Sequence, residues 1–160
     1  MTDKRPGVEQ TAQARGETPA QVLDRNLNEL LQELRVVLTG VQILFAFLLA
    51  LAFTADLDER GAFPTTVYTI TLMSTACATV VLIAPVSFHR TVFRRGRKEQ
   101  LVSFADLALL VGLALLLIGI TSAVLLVLDV VLGRWPAITG GAVVVLLGAV
   151  TWYALPLRQR

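Results

Sequence analysis

Residues 104–128 read FADLALLVGLALLLIGITSAVLLVL, an unbroken apolar run in which Asp106 is the one ionisable side chain. A helix of about 20 apolar residues covers the roughly 30 Å hydrocarbon core of a bilayer. This stretch alone therefore predicts a membrane-crossing helix. Three more such runs surround it, at 36–55, 65–87 and 137–157, and none holds a Lys, Arg or Glu. Backbone polar groups inside a bilayer need partners within their own segment, so the four runs predict helices. The expected fold is all-α: a four-transmembrane-helix bundle over residues 36–157. The chain has 160 residues, is 55% hydrophobic and has a mean hydropathy of +0.69, outside the range of a soluble domain. Four spans leave no room for a separate catalytic domain.

Charge placement then predicts the topology. Of 14 Lys and Arg residues, Arg60 and Arg134 lie in the first and third connections. All the others lie before the first run, between the second and third, or after the fourth. Basic residues are retained on the cytoplasmic face during insertion. The expectation is a multi-pass protein of the inner (plasma) membrane with both termini cytoplasmic. A cleavable signal peptide is not expected, because the first apolar run is too long and starts too late.

Residues 1–17 (MTDKRPGVEQTAQARGE) hold little apolar surface to offset ordering entropy, so a disordered cytoplasmic tail is expected there. Thr18 suits an N-cap, Pro19 the first helical position, and Gln21 completes a capping box. Val22, Leu23, Leu27, Leu30, Leu31 and Leu34 then recur at helical spacing, with Asp24, Arg25, Asn28, Glu29, Gln32 and Glu33 between them. Residues 18–35 thus predict an amphipathic cytoplasmic helix. It either lies in the membrane interface or continues straight into the first span.

Further along, Pro85 is expected to kink or release the last turn of the second span. The short connection 129–136 makes the third and fourth spans antiparallel neighbours. Trp135 at one end, with Trp152 and Tyr153 at the other, fits the aromatic belts of lipid–water interfaces.

Several polar features qualify as sites. Thr71, Thr75 and Thr79, with Tyr68 near their outer end, form a hydroxyl stripe on the second span. Such a stripe lines a hydrated path, or else bonds to its own helix's carbonyls or a neighbouring helix. Asp106 is either a proton or cation acceptor or part of a Ser103–Asp106 capping box opening the third span. Ala108, Gly112, Gly119 and Ala123 make a small-residue face, and Ala137 with Gly141 makes another. Missing side chains let two backbones approach closely, so these are helix-packing surfaces, within the chain or between chains.

The basic loop holds His89, Arg90, Arg94, Arg95, Arg97 and Lys98. Arg94, Arg95, Arg97 and Lys98 suit anionic lipid head groups. His89 reads as an interfacial residue rather than a proton sensor, and a run so short and membrane-apposed is not expected to bind nucleic acid. Cys77 reads as a small packing residue, and no spacing suggests a metal or cofactor.

Three stretches carry a resemblance: Asn28-Glu29-Leu30-Leu31-Gln32-Glu33-Leu34-Arg35; Thr39-Gly40-Val41-Gln42-Ile43-Leu44-Phe45-Ala46-Phe47-Leu48; and Ala84-Pro85-Val86-Ser87-Phe88-His89-Arg90 with Phe93-Arg94-Arg95. Together they resemble an uncharacterised family of small four-span membrane proteins, a domain of unknown function found mainly in actinobacteria. The resemblance covers roughly residues 20–155 and implies the same topology. Some relatives carry an automatic sodium/proton antiporter label. The same residues predict a polar cluster at the inner face, with Glu29, Glu33, Arg35, Gln42, His89, Arg90, Arg94 and Asp106 at one depth. Pairs such as Glu33 with Arg90 or Arg94, and Arg35 with Asp106, would lock the fold.

No nucleophile–base pair, phosphate loop or metal cluster is visible, so an enzyme is not expected. Two functional classes remain. One is an accessory or helix-packing subunit in contact with membrane lipids, as a homo-oligomer or within a larger membrane complex. The other is a small oligomeric cation or proton transporter using the threonine stripe and Asp106.

Overall fold

The computed structural model describes the backbone of residues 8–54, 61–92 and 98–158, and their side chains except at 88–92, 98–102 and 157. All regular structure among these residues is helical. The helices are α1 (Val8–Arg15), α2 (Pro19–Thr54), α3 (Ala62–Val92), α4 (Lys98–Leu132) and α5 (Arg134–Gly148). A π-helical segment, Ala149–Ala154, and a last turn, α6 (Leu155–Arg158), extend α5. Four helices are long and apolar enough to cross a membrane: Pro19–Thr54, Ala62–Ser87, Ser103–Leu132 and Arg134–Ala154. The chain is accordingly a multi-pass membrane protein by helix length and composition.

The start of α2 follows its local sequence. Gln21 Oε1 accepts the Thr18 N–H at 2.8 Å, and Thr18 Oγ1 accepts the Gln21 N–H at 3.3 Å. Each side chain thereby satisfies a donor the first turn leaves open. Nothing interrupts the 36 residues of this helix. At 1.5 Å per residue it is about 54 Å long, well beyond a hydrocarbon core. Segment 18–35 thus continues as the same rod as the first span. Its buried positions Leu34, Val41 and Leu48 are seven apart, and each joins a cluster with residues of α3 and α4.

Two element boundaries differ from expectation. Residues 8–15, expected in a disordered tail, form α1. Glu9 and Arg15 suit the helix dipole at its two ends, and Ala12 is buried where α1 packs on α2. Gly16 (φ 66°) terminates it, with the Glu17 N–H donating to Ala12 O at 3.0 Å. Residues 1–7 of that segment lie outside the described residues. The second difference is at α4, which begins at Lys98, so Ser103 and Asp106 sit inside a helix rather than at its cap. The expected capping box does not form. Helix α3 continues through the buried Pro85 to Val92, so its last turn is not released at the proline.

Packing centres on α3 and α4, which are antiparallel along their length, with α2 against both. The main contact of α5 is with α4, so the arrangement is more open than a four-cornered bundle. One apolar cluster joins Leu34, Val41, Ala78, Leu82 and Leu116; another joins Leu48, Val67, Tyr68 and Leu126. Helix reversal places Pro19, Lys98 and Arg158 at one end and Gly61 and Gly133 at the other. Gly133 alone connects α4 to α5, at φ 87°, where a side chain would be strained.

Candidate functional site

The hydroxyl stripe of α3 is the first candidate. Thr71 and Thr75 are completely buried. Thr71 Oγ1 donates to Val67 O at 2.8 Å, Thr75 Oγ1 to Thr71 O at 2.8 Å, and Thr79 Oγ1 to Thr75 O at 2.9 Å. Ser74 does the same toward Thr71 O at 3.1 Å. Each hydroxyl proton is therefore directed along its own helix, which makes a polar residue tolerable in an apolar environment. Tyr68 differs. Its hydroxyl crosses to α2 and donates to Leu48 O at 3.0 Å.

The small-residue faces account for how closely the helices approach. A side chain at Gly112 would collide with Leu82 of α3, and one at Gly119 would lie 2.8 Å from Thr75 Cγ2. Ala108 is buried on the same face, whereas Ala123 is only partly covered. Ala137 is fully buried, and Gly141 faces Leu125 and Thr121 of α4. These contacts lie within the chain. Gly148 meets Leu117 and Gly140 meets Leu128, so every buried position of α5 is Ala or Gly. Small residues give α5 its close approach to α4 while its large side chains face outward.

The polar cluster expected at the Pro19 end is divided. Glu29, Gln32 and Glu33 line a groove of about 550 Å³ between α2 and α4, floored by Val36, Val37, Leu109 and Leu113. Arg35 and Gln42 line a different groove, on the α3 side, with Val86. Asp106 is an exposed residue of α4 lining neither. The ion pairs described at this end form around Arg25 instead. Its Nη1 donates to both Glu17 carboxylate oxygens at 2.7 Å, and its Nε is 3.8 Å from Glu29 Oε1. The side chains of His89, Arg90, Arg94, Arg95, Arg97 and Lys98 lie outside the described residues, and with them the lipid-head-group and Glu33 pairings.

Four contacts escape sequence reasoning. At the Gly61 end, Arg134 Nε is 2.7 Å from Asp129 Oδ1, and its guanidinium carbon is 3.4 Å from the Phe63 ring centroid. At the other end, Tyr153 Oη donates to Leu110 O at 3.0 Å, and Trp152 packs on the Leu34–Leu82 cluster. Both aromatics are half-buried against the bundle, while Trp135 is 80% exposed. They belong to the π-helical segment, whose wider turn shifts the facing of the residues it carries. Cys77 is exposed on α3, not packed. Among the described residues no group of three His, Cys, Asp or Glu side chains converges as a metal site.

Residues 16–156, nearly the whole chain, match one described as a family of unknown function (DUF6328). The protein belongs to that family. The description assigns no activity and speaks of neither bacterial distribution nor antiport. No curated protein and no solved structure matches the chain.

Proposed function

We propose that this DUF6328 protein is a non-catalytic integral membrane protein, an accessory or helix-packing subunit of a larger membrane assembly. It sits in the plasma membrane with both termini cytoplasmic, since the basic residues gather around the Pro19 end. One observation carries the reading: Thr71 and Thr75 are completely buried, and their hydroxyls, with that of the half-buried Thr79, donate to carbonyls of α3. Thr71 and Thr75 are enclosed by packed side chains, with Thr75 against Gly119 of α4, which supports a packing role over an ion path, whose oxygens must face open space. The outward surfaces supply the contact area. Val36, Ile43 and Phe47 of α2 and Leu146 and Leu147 of α5 are each more than 60% exposed. In α2 the exposed positions 36, 40, 43 and 47 repeat at the four–three spacing by which one helix lies along another.

Purification in mild detergent followed by mass spectrometry tests this. A stoichiometric second protein, absent from a control carrying Ile43→Arg and Phe47→Arg, supports the subunit reading. Sodium- or proton-dependent dye signals from vesicles holding the pure chain, lost in Asp106→Asn, would replace it with the transporter.

A further inference from the structure

The two grooves beside α2 at the Pro19 end carry opposite charge. The one facing α4 has Glu29 and Glu33 on its rim. The one facing α3, of about 390 Å³, has an apolar floor that includes Leu34, Leu38 and Val86 and a rim of Arg35, Thr39 and Gln42. The rim residues recur at i, i+4 and i+7, one face of the helix. Their depth is graded. Arg35 precedes the first apolar run, at head-group level, where an arginine reaches outward along its aliphatic stem. Gln42 lies about 10 Å further along the axis, within the apolar run. It is exposed, and none of the described hydrogen bonds reaches its amide. A primary amide facing hydrocarbon without a partner is costly, so its environment must supply one. At that depth a bilayer offers the ester carbonyls of its own lipids.

We propose that this groove is a binding site for one glycerophospholipid. Arg35 takes the phosphodiester, whose oxygens match the planar guanidinium fork. The Gln42 amide donates to a glycerol ester carbonyl, and one acyl chain lies on Leu38 and Val86. Glu29 and Glu33 repel phosphate from the neighbouring groove, so charge confines the lipid to the α3 side.

The test uses the full chain in mild detergent, titrated with palmitoyl-oleoyl phosphatidylglycerol and with the matching diacylglycerol, the complexes being counted by native mass spectrometry. Arg35→Ala and Gln42→Leu should each weaken the first-bound phospholipid about tenfold or more, the scale of losing a hydrogen bond to a charged or desolvated group. Diacylglycerol should not separate wild type from Arg35→Ala. A photo-activated phospholipid should label wild-type peptides around Leu38 and Val86, which keeps the proposal testable should a variant fold poorly. Equal affinity in wild type and both variants overturns the site, as does a loss confined to Arg94→Ala/Arg95→Ala. Cross-linking between Gln42→Cys residues of two copies also overturns it, since another chain would then cover the groove.

Discussion

Arg134 stacks its guanidinium 3.4 Å from the centroid of the Phe63 ring. That contact fastens the tight α4–α5 turn to the first turn of α3, while Asp129 holds the same guanidinium through Nε. Arg134 is about half exposed, so an interfacial cation–π contact is worth about 0.5–1 kcal/mol, and the ion pair a similar amount. Arg134→Ala should destabilise the detergent-solubilised protein by about 1–2 kcal/mol. Arg134→Lys should recover less than half, since an ammonium lacks the plane that stacks and the fork that pairs. Thermal unfolding in one detergent compares the three.

The glycines of the membrane helices should divide by surroundings. Gly112 faces Leu82, whereas a methyl group at Gly40 would meet nothing within 4 Å. Gly112→Ala should cost about 1–3 kcal/mol through overpacking, partly relieved by Leu82→Val. Gly40→Ala should be neutral or stabilising by up to about 1 kcal/mol, as alanine is the better helix former. Unfolding by titration with a denaturing detergent reads both. Equal losses at the two positions would contradict the α3–α4 packing.

Tyr68 and Tyr153 donate to backbone carbonyls of other helices, Leu48 O and Leu110 O. Each phenylalanine substitution keeps the ring and removes that bond. The expected cost is about 0.5–1.5 kcal/mol, nearer the lower figure in a membrane. Tyr68 is buried, so Tyr68→Phe should cost more than Tyr153→Phe in the same detergent titration.

Asp106 lies inside α4, exposed, a turn or more past the helix start. Asp106→Asn should therefore change stability by less than about 0.5 kcal/mol, as exposed substitutions generally do. Thr18→Ala should cost about 1 kcal/mol, since Thr18 does cap its helix. Helical content near Pro19, read by hydrogen exchange, should fall in the second variant alone.

How much of the fold is legible in the sequence follows from how local the causes are. The apolar run at 104–128 and the Thr18–Gln21 capping box act over a few residues, and both appear in the fold. The glycine spacing on α4 signals close packing, and the structure supplies the partner, Leu82 and Thr75 of α3. The start of α4 is harder to read, because Ser103–Asp106 has the composition of a cap while Lys98-Glu99-Gln100 upstream are good helix formers. Helix α1 has too little apolar surface to be read alone, and it is ordered by docking on α2. The stack of Arg134 on Phe63 joins residues far apart in the chain, and no periodicity encodes it. The same holds for the two grooves: at 35 and 42 the spacing places Arg and Gln on one face, but only the fold decides which neighbour that face meets.

Central to all of this is that four helices cross a bilayer with the Pro19 and Gly61 ends on opposite sides. Single cysteines at Gln21, Gly61, Ser103 and Arg134 in a Cys77→Ala background, probed in intact cells with a membrane-impermeant maleimide, test it most directly. Labelling of Gly61→Cys and Arg134→Cys, with protection of Gln21→Cys and Ser103→Cys until the cells are opened, is the predicted result. Labelling of all four from one side would contradict it.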